Sequence, residues 1–275
     1  CGPKADPAGI KGSGTAAEAF KKIADAKQPF CSRGDNSGTH NKEMKIWSAS
    51  APVLKLDPAW YTSVGSGMGD TLTKANEMNA YVLTDKATYL SMKDNLPNLE
   101  ILVNESDDMK NTYSVIAVNP EAPFVDADGK EIPDVYVNTA GADALVKWLL
   151  SEEALKLASE FGMGDEFLFY ILDGAPKYEG EIPAATEETK AIRLSTTTSV
   201  KDSGLWDCLK PVFEEKYGYV LEISSAGTGK AIAAAKMGNA DLILVHSKKQ
   251  EDAFVEGGFG LVIEGYEAER IPFLL

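Results

Sequence analysis

Three times between residues 192 and 256 the chain repeats one unit: a short apolar run, a polar turn, then a segment with helical spacing. The apolar runs are 192–194, 219–223 and 242–245, and the helical segments are 203–217, 230–237 and 248–256. In the first of these helices Leu205, Leu209 and Phe213 recur four residues apart, which marks one buried face. Gly238 stops the second and Gly257-Gly258 the third, as expected of the residue that takes a left-handed cap without a Cβ clash. A strand that returns through a helix lies parallel to the one before it. The repeat therefore commits this stretch to a parallel-type α/β sheet, with its polar turns side by side at the carboxyl ends of the strands.

Upstream the alternation continues less regularly. Residues 14–26 carry Ala17, Phe20, Ile23 and Ala24 at helical spacing, and 29–31 reads as a short strand. A helix is expected over 37–48 with Met44 and Trp47 on its inner face. The loop Gly65-Ser66-Gly67-Met68-Gly69 precedes a helix ending near Asn79. Strand 81–83 follows, then a helix N-capped by Asp85 and running through 94, then strand 99–103. Beyond strand 115–118 and a Pro- and Asp-rich loop to 133, one long helix over 141–161 turns Ala144, Leu145, Trp148, Leu149, Leu155 and Leu157 toward a core. Residues 172–190 hold Gly174, Pro176, Gly180, Pro183 and the run Thr186-Glu187-Glu188-Thr189, the strongest linker signal in the chain.

With 275 residues the chain can bury one large core or two smaller ones, and its 44% hydrophobic content excludes disorder. A net charge of −15 argues against nucleic acid and against anionic membrane surfaces as partners. It leaves room for a small buried anion, which responds to local dipoles more than to surface charge beyond a Debye length of about 8–10 Å. No apolar run approaches the roughly 18 residues of a membrane helix, so no direct membrane insertion is expected. The opening Cys1-Gly2-Pro3-Lys4 also lacks the basic-then-apolar pattern of a leader. Cys1, Cys31 and Cys208, with His40 and His246, form no metal-ligand spacing, so neither a metal nor a cofactor is expected.

Four polar turns carry the chemistry. Ser195-Thr196-Thr197-Thr198-Ser199, Ala226-Gly227-Thr228-Gly229-Lys230 and Val245-His246-Ser247 follow the three strands, and Arg33-Gly34-Asp35-Asn36-Ser37-Gly38-Thr39 opens a helix. Hydroxyls, the N–H groups of helix starts and one guanidinium are what a small oxoanion requires. Alone, the Ser/Thr run reads equally well as a helix cap. Gly227-Thr228-Gly229-Lys230 is not a nucleotide phosphate loop: Ser224 stands where the first glycine is needed, and Ala231 where magnesium needs Ser or Thr. The Arg33 turn is more specific, because a fork of donors meets a hydroxyl and a favourable dipole. Asp35 either pairs with Arg33 on a solvated turn or holds the guanidinium behind a bound anion. His246, Ser247, Thr196, Gly227 and Gly229 are possible further contacts, whereas His40 reads as incidental. Gly65-x-Gly67-x-Gly69 has the wrong spacing for a dinucleotide, and no candidate nucleophile with a base stands out. A binder of small oxoanions that is not an enzyme is expected; the alternative is a transferase acting on a phosphate ester through the same turns.

These segments resemble the tungstate-binding proteins of bacterial ABC transporters, which have the type II periplasmic-binding-protein fold. The likeness runs through Ser195-Thr-Thr-Thr-Ser199 with Asp202-Ser203-Gly204-Leu205, Ala226-Gly-Thr-Gly-Lys230 and Gly238-Asn-Ala-Asp-Leu-Ile-Leu-Val-His-Ser247. It continues in Gly2-Pro-Lys-Ala-Asp-Pro-Ala-Gly-Ile10 and Ser32-Arg-Gly-Asp-Asn-Ser-Gly-Thr-His40. The resemblance implies an α/β fold of two lobes, each a mixed, mostly parallel sheet flanked by helices, with the ligand between them. Residues 1–110 would form the lobe carrying Arg33 and Ser37-Gly38-Thr39, and 111–275 the lobe carrying the Thr-rich, Gly-Thr-Gly and Val-His-Ser turns. Thr197, Thr198, Ser199 and Thr228 would then join Arg33, Ser37, Gly38 and Thr39 in holding tungstate or molybdate. The same resemblance implies ABC permease partners, a periplasmic or extracytoplasmic location, a soluble monomer and hinge closure. Related phosphate-binding proteins share Arg-x-x-x-Ser-Gly-Thr and place a carboxylate near the position of Val245-His246-Ser247. Its absence favours a fully deprotonated oxoanion over hydrogen phosphate.

The order of segments departs from the family. Its members begin with the Thr-rich strand and meet Gly-Pro-Lys-Ala-Asp-Pro after Arg-Ile-Pro-Phe, whereas here Arg270-Ile271-Pro272-Phe273 lies near the C-terminus and Gly2-Pro3 near the N-terminus. A circular permutant is expected, cut between Leu275 and Cys1, with the parental ends joined across 172–190. On that order Cys1 is an internal strand residue and not a lipid anchor. An engineered sensor scaffold without a transporter partner fits the same chain.

Overall fold

The structure, a computed structural model, describes residues 1–50, 56–104, 106–163, 166–263, 266 and 270–274. Leu275, one side of the expected cut, lies outside these residues. The chain divides into two compact units, Cys1–Lys110 and Asn111–Leu275.

The first unit contains β1 (Gly2–Pro3), α1 (Ala16–Asp25), β2 (Phe30–Ser32), α2 (Gly38–Ser50), β3 (Tyr61–Ser63), α3 (Met68–Met78), β4 (Tyr81–Val82), α4 (Lys86–Met92) and β5 (Leu99–Glu100). β2 lies between β3 and β4 in a parallel sheet, while β1 and β5 form a separate antiparallel pair. Alternate residues of β2 and β4 serve two cores. Phe30 and Tyr81 pack with Phe20, Ile23, Ile46 and Trp47 on one side; Cys31 and Val82 pack with Leu72, Ala75 and Tyr89 on the other. A strand covered on both faces shows this arrangement. Asp85 caps α4 by accepting from Thr88 N–H at 2.8 Å, as the sequence predicts. The strand expected over 99–103 is shorter, ending at Glu100. The inner face of α2 also differs from expectation: Glu43, Ile46 and Trp47 are buried, and Met44 is 37% exposed. Glu43 turns inward because it finds donors there, Trp47 Nε1 at 3.1 Å and Tyr61 OH at 2.7 Å.

The second unit contains β6 (Tyr113–Val118), α5 (Thr139–Leu149), α6 (Glu152–Glu160), β7 (Gly162–Met163), β8 (Glu166–Phe167), β9 (Ala191–Thr197), α7 (Thr198–Asp202), α8 (Leu205–Tyr217), β10 (Val220–Ala226), α9 (Thr228–Lys236), β11 (Leu242–Val245), α10 (Lys248–Glu256), β12 (Gly260–Leu261) and β13 (Ile271–Leu274). Its main sheet runs β10–β9–β11–β6–β12, with β13 also paired to β6. β9, β10 and β11 are parallel, and β6 runs antiparallel to β11, β12 and β13. Leu194, Leu242 and Leu244 face one core with Trp148, Leu209 and Phe213; Ile116, Ile243 and Val245 face the other with Ile232 and Phe254. Helices thus cover both sides of the sheet. Asp241, fully buried, locks the start of β9 by accepting from Arg193 Nη2 at 2.6 Å, from Arg193 N–H at 2.7 Å and from Asn138 N–H at 2.9 Å.

Three local expectations change here. The single helix over 141–161 is two helices, because Ser151 takes an extended conformation and breaks the ladder. Its hydroxyl donates to Trp148 O at 2.6 Å and accepts from Ala154 N–H at 3.3 Å, closing α5 and opening α6. Second, Ser195, Thr196 and Thr197 belong to β9 rather than to a loop. Ser195 Oγ donates to Ala231 O at 3.1 Å and Thr196 Oγ1 to Leu244 O at 2.7 Å, so these buried hydroxyls suit a strand interior. Third, residues 172–190 contain no helix or strand but are anchored: Tyr178 N–H donates to Leu150 O at 2.9 Å and Ala185 N–H to Tyr217 O at 2.8 Å. Among the described residues no helix is long and apolar enough to cross a membrane.

Candidate functional site

In the second unit the carboxyl ends of three parallel strands stand side by side. Thr197 pairs with Ala226 in register, and Thr196 pairs with Leu244, so the turns after β9, β10 and β11 share one edge. Thr197 precedes α7 in extended conformation and its side chain caps nothing. Its Oγ1 lies 3.0 Å from Ser199 Oγ, which in turn lies 3.4 Å from His246 Nε2 and 3.5 Å from Tyr113 OH. His246 Nδ1 is 2.9 Å from Asn111 Oδ1, and its ring centroid lies 5.0 Å from that of Tyr113.

Thr228 is the first residue of α9, after Gly227. It is 3% exposed, yet its hydroxyl oxygen has no hydrogen-bond partner in the structure. The first N–H groups of any helix also lack an intrahelical acceptor. A Cβ placed on Gly227 would meet nothing within 4 Å, so open space adjoins this turn. A buried orphan hydroxyl beside free N–H groups is suited to a guest with several acceptor oxygens.

Two expected contacts are engaged elsewhere. The Thr196 hydroxyl is held by Leu244 O. Ser247 N–H donates to Glu251 Oε1, while Glu251 Oε2 accepts from Arg270 Nε. Burial pushes the Glu251 carboxyl above its usual range, against the opposing pull of Arg270. Gly229 lies in the first turn of α9, near Gln250.

In the first unit the turn between β2 and α2 holds the other donors. Arg33 Nε and Nη2 donate to Asp35 Oδ2 at 3.1 and 2.6 Å, and Ser37 N–H donates to Asp35 Oδ1 at 3.1 Å. Burial alone would raise the Asp35 carboxyl, but hydrogen bonds from Ser37 and Arg33 outweigh it and hold the group below its ordinary value. The carboxylate thus grips the Nε–Nη2 edge of the guanidinium. Gly34 and Asn36 both have positive φ, 63° and 57°. At Gly34 a Cβ would fall 1.8 Å from Ser63 Oγ, so only glycine fits. Ser37 Oγ accepts from His40 N–H at 3.3 Å, and Gly38 and Thr39 supply first-turn N–H groups of α2. His40, read from the sequence as incidental, accepts from Asn36 N–H at 2.9 Å through Nδ1 and so shapes this turn.

Sequence reasoning missed Asn111 and Tyr113 as well. It also found no nucleophile with a base, whereas Ser199, His246 and Asn111 stand in the order nucleophile, base and orienter. At 3.4 Å the Ser199–His246 contact is longer than the roughly 2.6–3.2 Å of an activated pair. Among the described residues no group of three or more His, Cys, Asp or Glu could hold a metal ion.

The geometry can be set beside known proteins. Tungstate-binding protein TupA of Peptoclostridium acidaminophilum is 40% identical over 163 residues, 58% of this chain and 52% of that protein. The protein of the same name from Campylobacter jejuni is 37% identical over 158 residues, 56% of this chain and 54% of that protein. The chain therefore spans about half the length of the curated relatives it matches. In the solved structure of the tungstate-binding protein TupA from Desulfovibrio alaskensis G20, 38% identity extends over 62% of this chain and 64% of that one, with a TM-score of 0.50. The model of the PBP superfamily domain matches residues 1–153 and 183–273, nearly the whole length. This α/β chain, with donor-lined turns at its strand ends, belongs to the PBP superfamily.

Proposed function

We propose that the chain is a solute receptor for a tetrahedral oxoanion, tungstate or molybdate, serving an ABC importer outside the cytoplasm as a monomer. Thr197, Thr198, Ser199, Thr228, Arg33, Ser37, Gly38 and Thr39 are the proposed donors to the anion. The observation that carries this reading is the buried, unpartnered Thr228 hydroxyl at the start of α9. An orphan of that kind costs about 1–3 kcal/mol and is retained where a guest repays it. The relatives named for tungstate binding support the choice of anion.

Each charge-assisted hydrogen bond to a desolvated anion contributes about 1.5–3 kcal/mol before costs. Six or seven of them, less desolvation and closure, leave roughly −10 to −12 kcal/mol, a nanomolar site. A circularly permuted order, with the parental ends joined across 172–190, is part of this proposal. The test is competitive calorimetry with tungstate, molybdate, sulfate and phosphate. Stoichiometric, tight binding of the first two is expected, with no turnover of a generic phosphate ester. Turnover without tight oxoanion binding would favour the transferase that the Ser199–His246 contact leaves open.

A further inference from the structure

Hydrogen bonds run from the candidate donors of the second unit to a histidine, and their direction is set at the far end. Asn111 Nδ2 donates to Tyr113 OH at 3.4 Å, which turns Oδ1 toward His246 Nδ1 at 2.9 Å. A carbonyl oxygen only accepts, so Nδ1 carries a proton. In the neutral imidazole Nε2 is then an acceptor, and Ser199 Oγ, 3.4 Å away, donates to it. With its proton committed, Ser199 accepts from Thr197 Oγ1 at 3.0 Å. Both hydroxyl protons therefore lie along the relay, and neither is offered to a guest.

Protonation of Nε2 reverses this. The new N–H donates to Ser199 Oγ, and the Ser199 proton is released for an anion oxygen. The imidazolium also places a positive charge one hydroxyl away from that oxygen. We propose that His246 is a positioning residue that couples oxoanion binding to the uptake of one proton; this rests on the receptor reading of the same site. His246 itself makes no bond to the anion. The titratable and charged groups on the elements packed around it are Tyr113 on β6, Lys201 and Asp202 exposed on α7, and several on α10. Among the described residues the latter are Lys249, Glu256, the Lys248–Asp252 pair, and Glu251, which pairs with Arg270. Burial raises the Glu251 carboxyl against the pull of Arg270, so His246→Gln is the variant that separates the imidazole from that second group.

Because the anion favours the imidazolium, the anion-bound pKa lies above the free one. The gain in affinity is complete below the free value and is lost as pH rises through the bound value. Calorimetric titration with tungstate from pH 6.5 to 9, in buffers of different ionisation enthalpy, reads both the affinity and the protons exchanged. Uptake approaching one proton per anion is expected, with the association constant falling tenfold per pH unit between the two pKa values. His246→Gln should remove both the slope and the uptake. Asn111→Asp, which favours the imidazolium, should move the window upward by about one pH unit or more. Affinity independent of pH in the wild type, or an unchanged slope in His246→Gln, overturns the relay and leaves the receptor reading standing. Failure of the wild type to bind tungstate, molybdate or sulfate at any pH overturns both.

Discussion

Thr228→Val separates a hydroxyl kept for a guest from one kept for the fold. Thr228 is 3% exposed and its Oγ1 lacks a partner, so the folded protein without anion bears a desolvation penalty of about 1–3 kcal/mol. Valine keeps the branched shape and differs little in helix propensity at the first position of α9. Removing the hydroxyl should therefore stabilise the anion-free protein by about 1–2 kcal/mol, a rise in Tm of roughly 2–8 °C for a unit of this size. The same change removes a hydrogen bond to the bound anion, and affinity should fall by about 1.5–3 kcal/mol, or some 10- to 150-fold. With saturating tungstate the order of stabilities should invert, because ligand stabilisation follows the logarithm of concentration over Kd. Thermal melts with and without anion, paired with calorimetry, read every term, and Thr228→Ser should restore most of the affinity. If Thr228→Val instead lowers anion-free stability by 1 kcal/mol or more, the hydroxyl has a structural partner and the reasoning fails.

Arg33→Ala should weaken tungstate binding by at least about 2 kcal/mol, roughly 30-fold, and an unchanged titration would refute its role. Glu43 is buried, and desolvation holds its carboxyl above its ordinary value despite its hydrogen bonds from Tyr61 and Trp47. The folded state then binds a proton that the unfolded chain releases, so stability falls as pH rises from the ordinary to the raised value. Glu43→Gln, whose amide oxygen can accept the same bonds, should be more stable than wild type at pH 7 and equal to it at pH 4 in urea melts. Asp241→Ala strands the partly buried Arg193 and two backbone N–H groups, and should cost about 3–5 kcal/mol in the same assay. Since the protein carries −15, salt should raise the association rate of a dianion by screening repulsion, with little effect on dissociation measured by stopped flow.

The β-α-β repeat was legible because its signals are local: apolar runs of strand length, four-residue helical spacing and glycine stops. The extent of β9 was not, since Ser195 and Thr196 look like turn residues until Ala231 and Leu244 supply carbonyls from other elements. The break at Ser151 carried a visible cap signal, Ser151 followed by Glu152 and Glu153, but the apolar pattern runs across it without interruption. Asn111 and His246 lie 135 residues apart and meet because β6 and β11 pair antiparallel, with Val245 opposite Ser114. No spacing rule could have joined them. The sequence marks the Thr228 turn but not its unpaired hydroxyl, because an unsatisfied atom is a property of everything around it.

On the proposed receptor reading, an acidic protein that takes up a dianion must neutralise it locally, and the first unit offers less charge for this than its guanidinium suggests. Asp35 is held ionised beside Arg33, so the turn at 33–39 carries no net charge from this pair. Asp35 fixes the guanidinium at the cost of cancelling it. What remains is geometry: N–H groups at the starts of α2 and α9 and hydroxyls at the strand ends, which act over a few ångströms and are barely screened. The N–H groups only donate, whereas the hydroxyls can also accept, so it is the backbone donors that favour a fully deprotonated oxoanion over hydrogen phosphate. With the Arg33–Asp35 pair neutral, neither negative charge of the proposed guest is matched there, and a proton drawn onto His246 is one counter-charge that the second unit can supply.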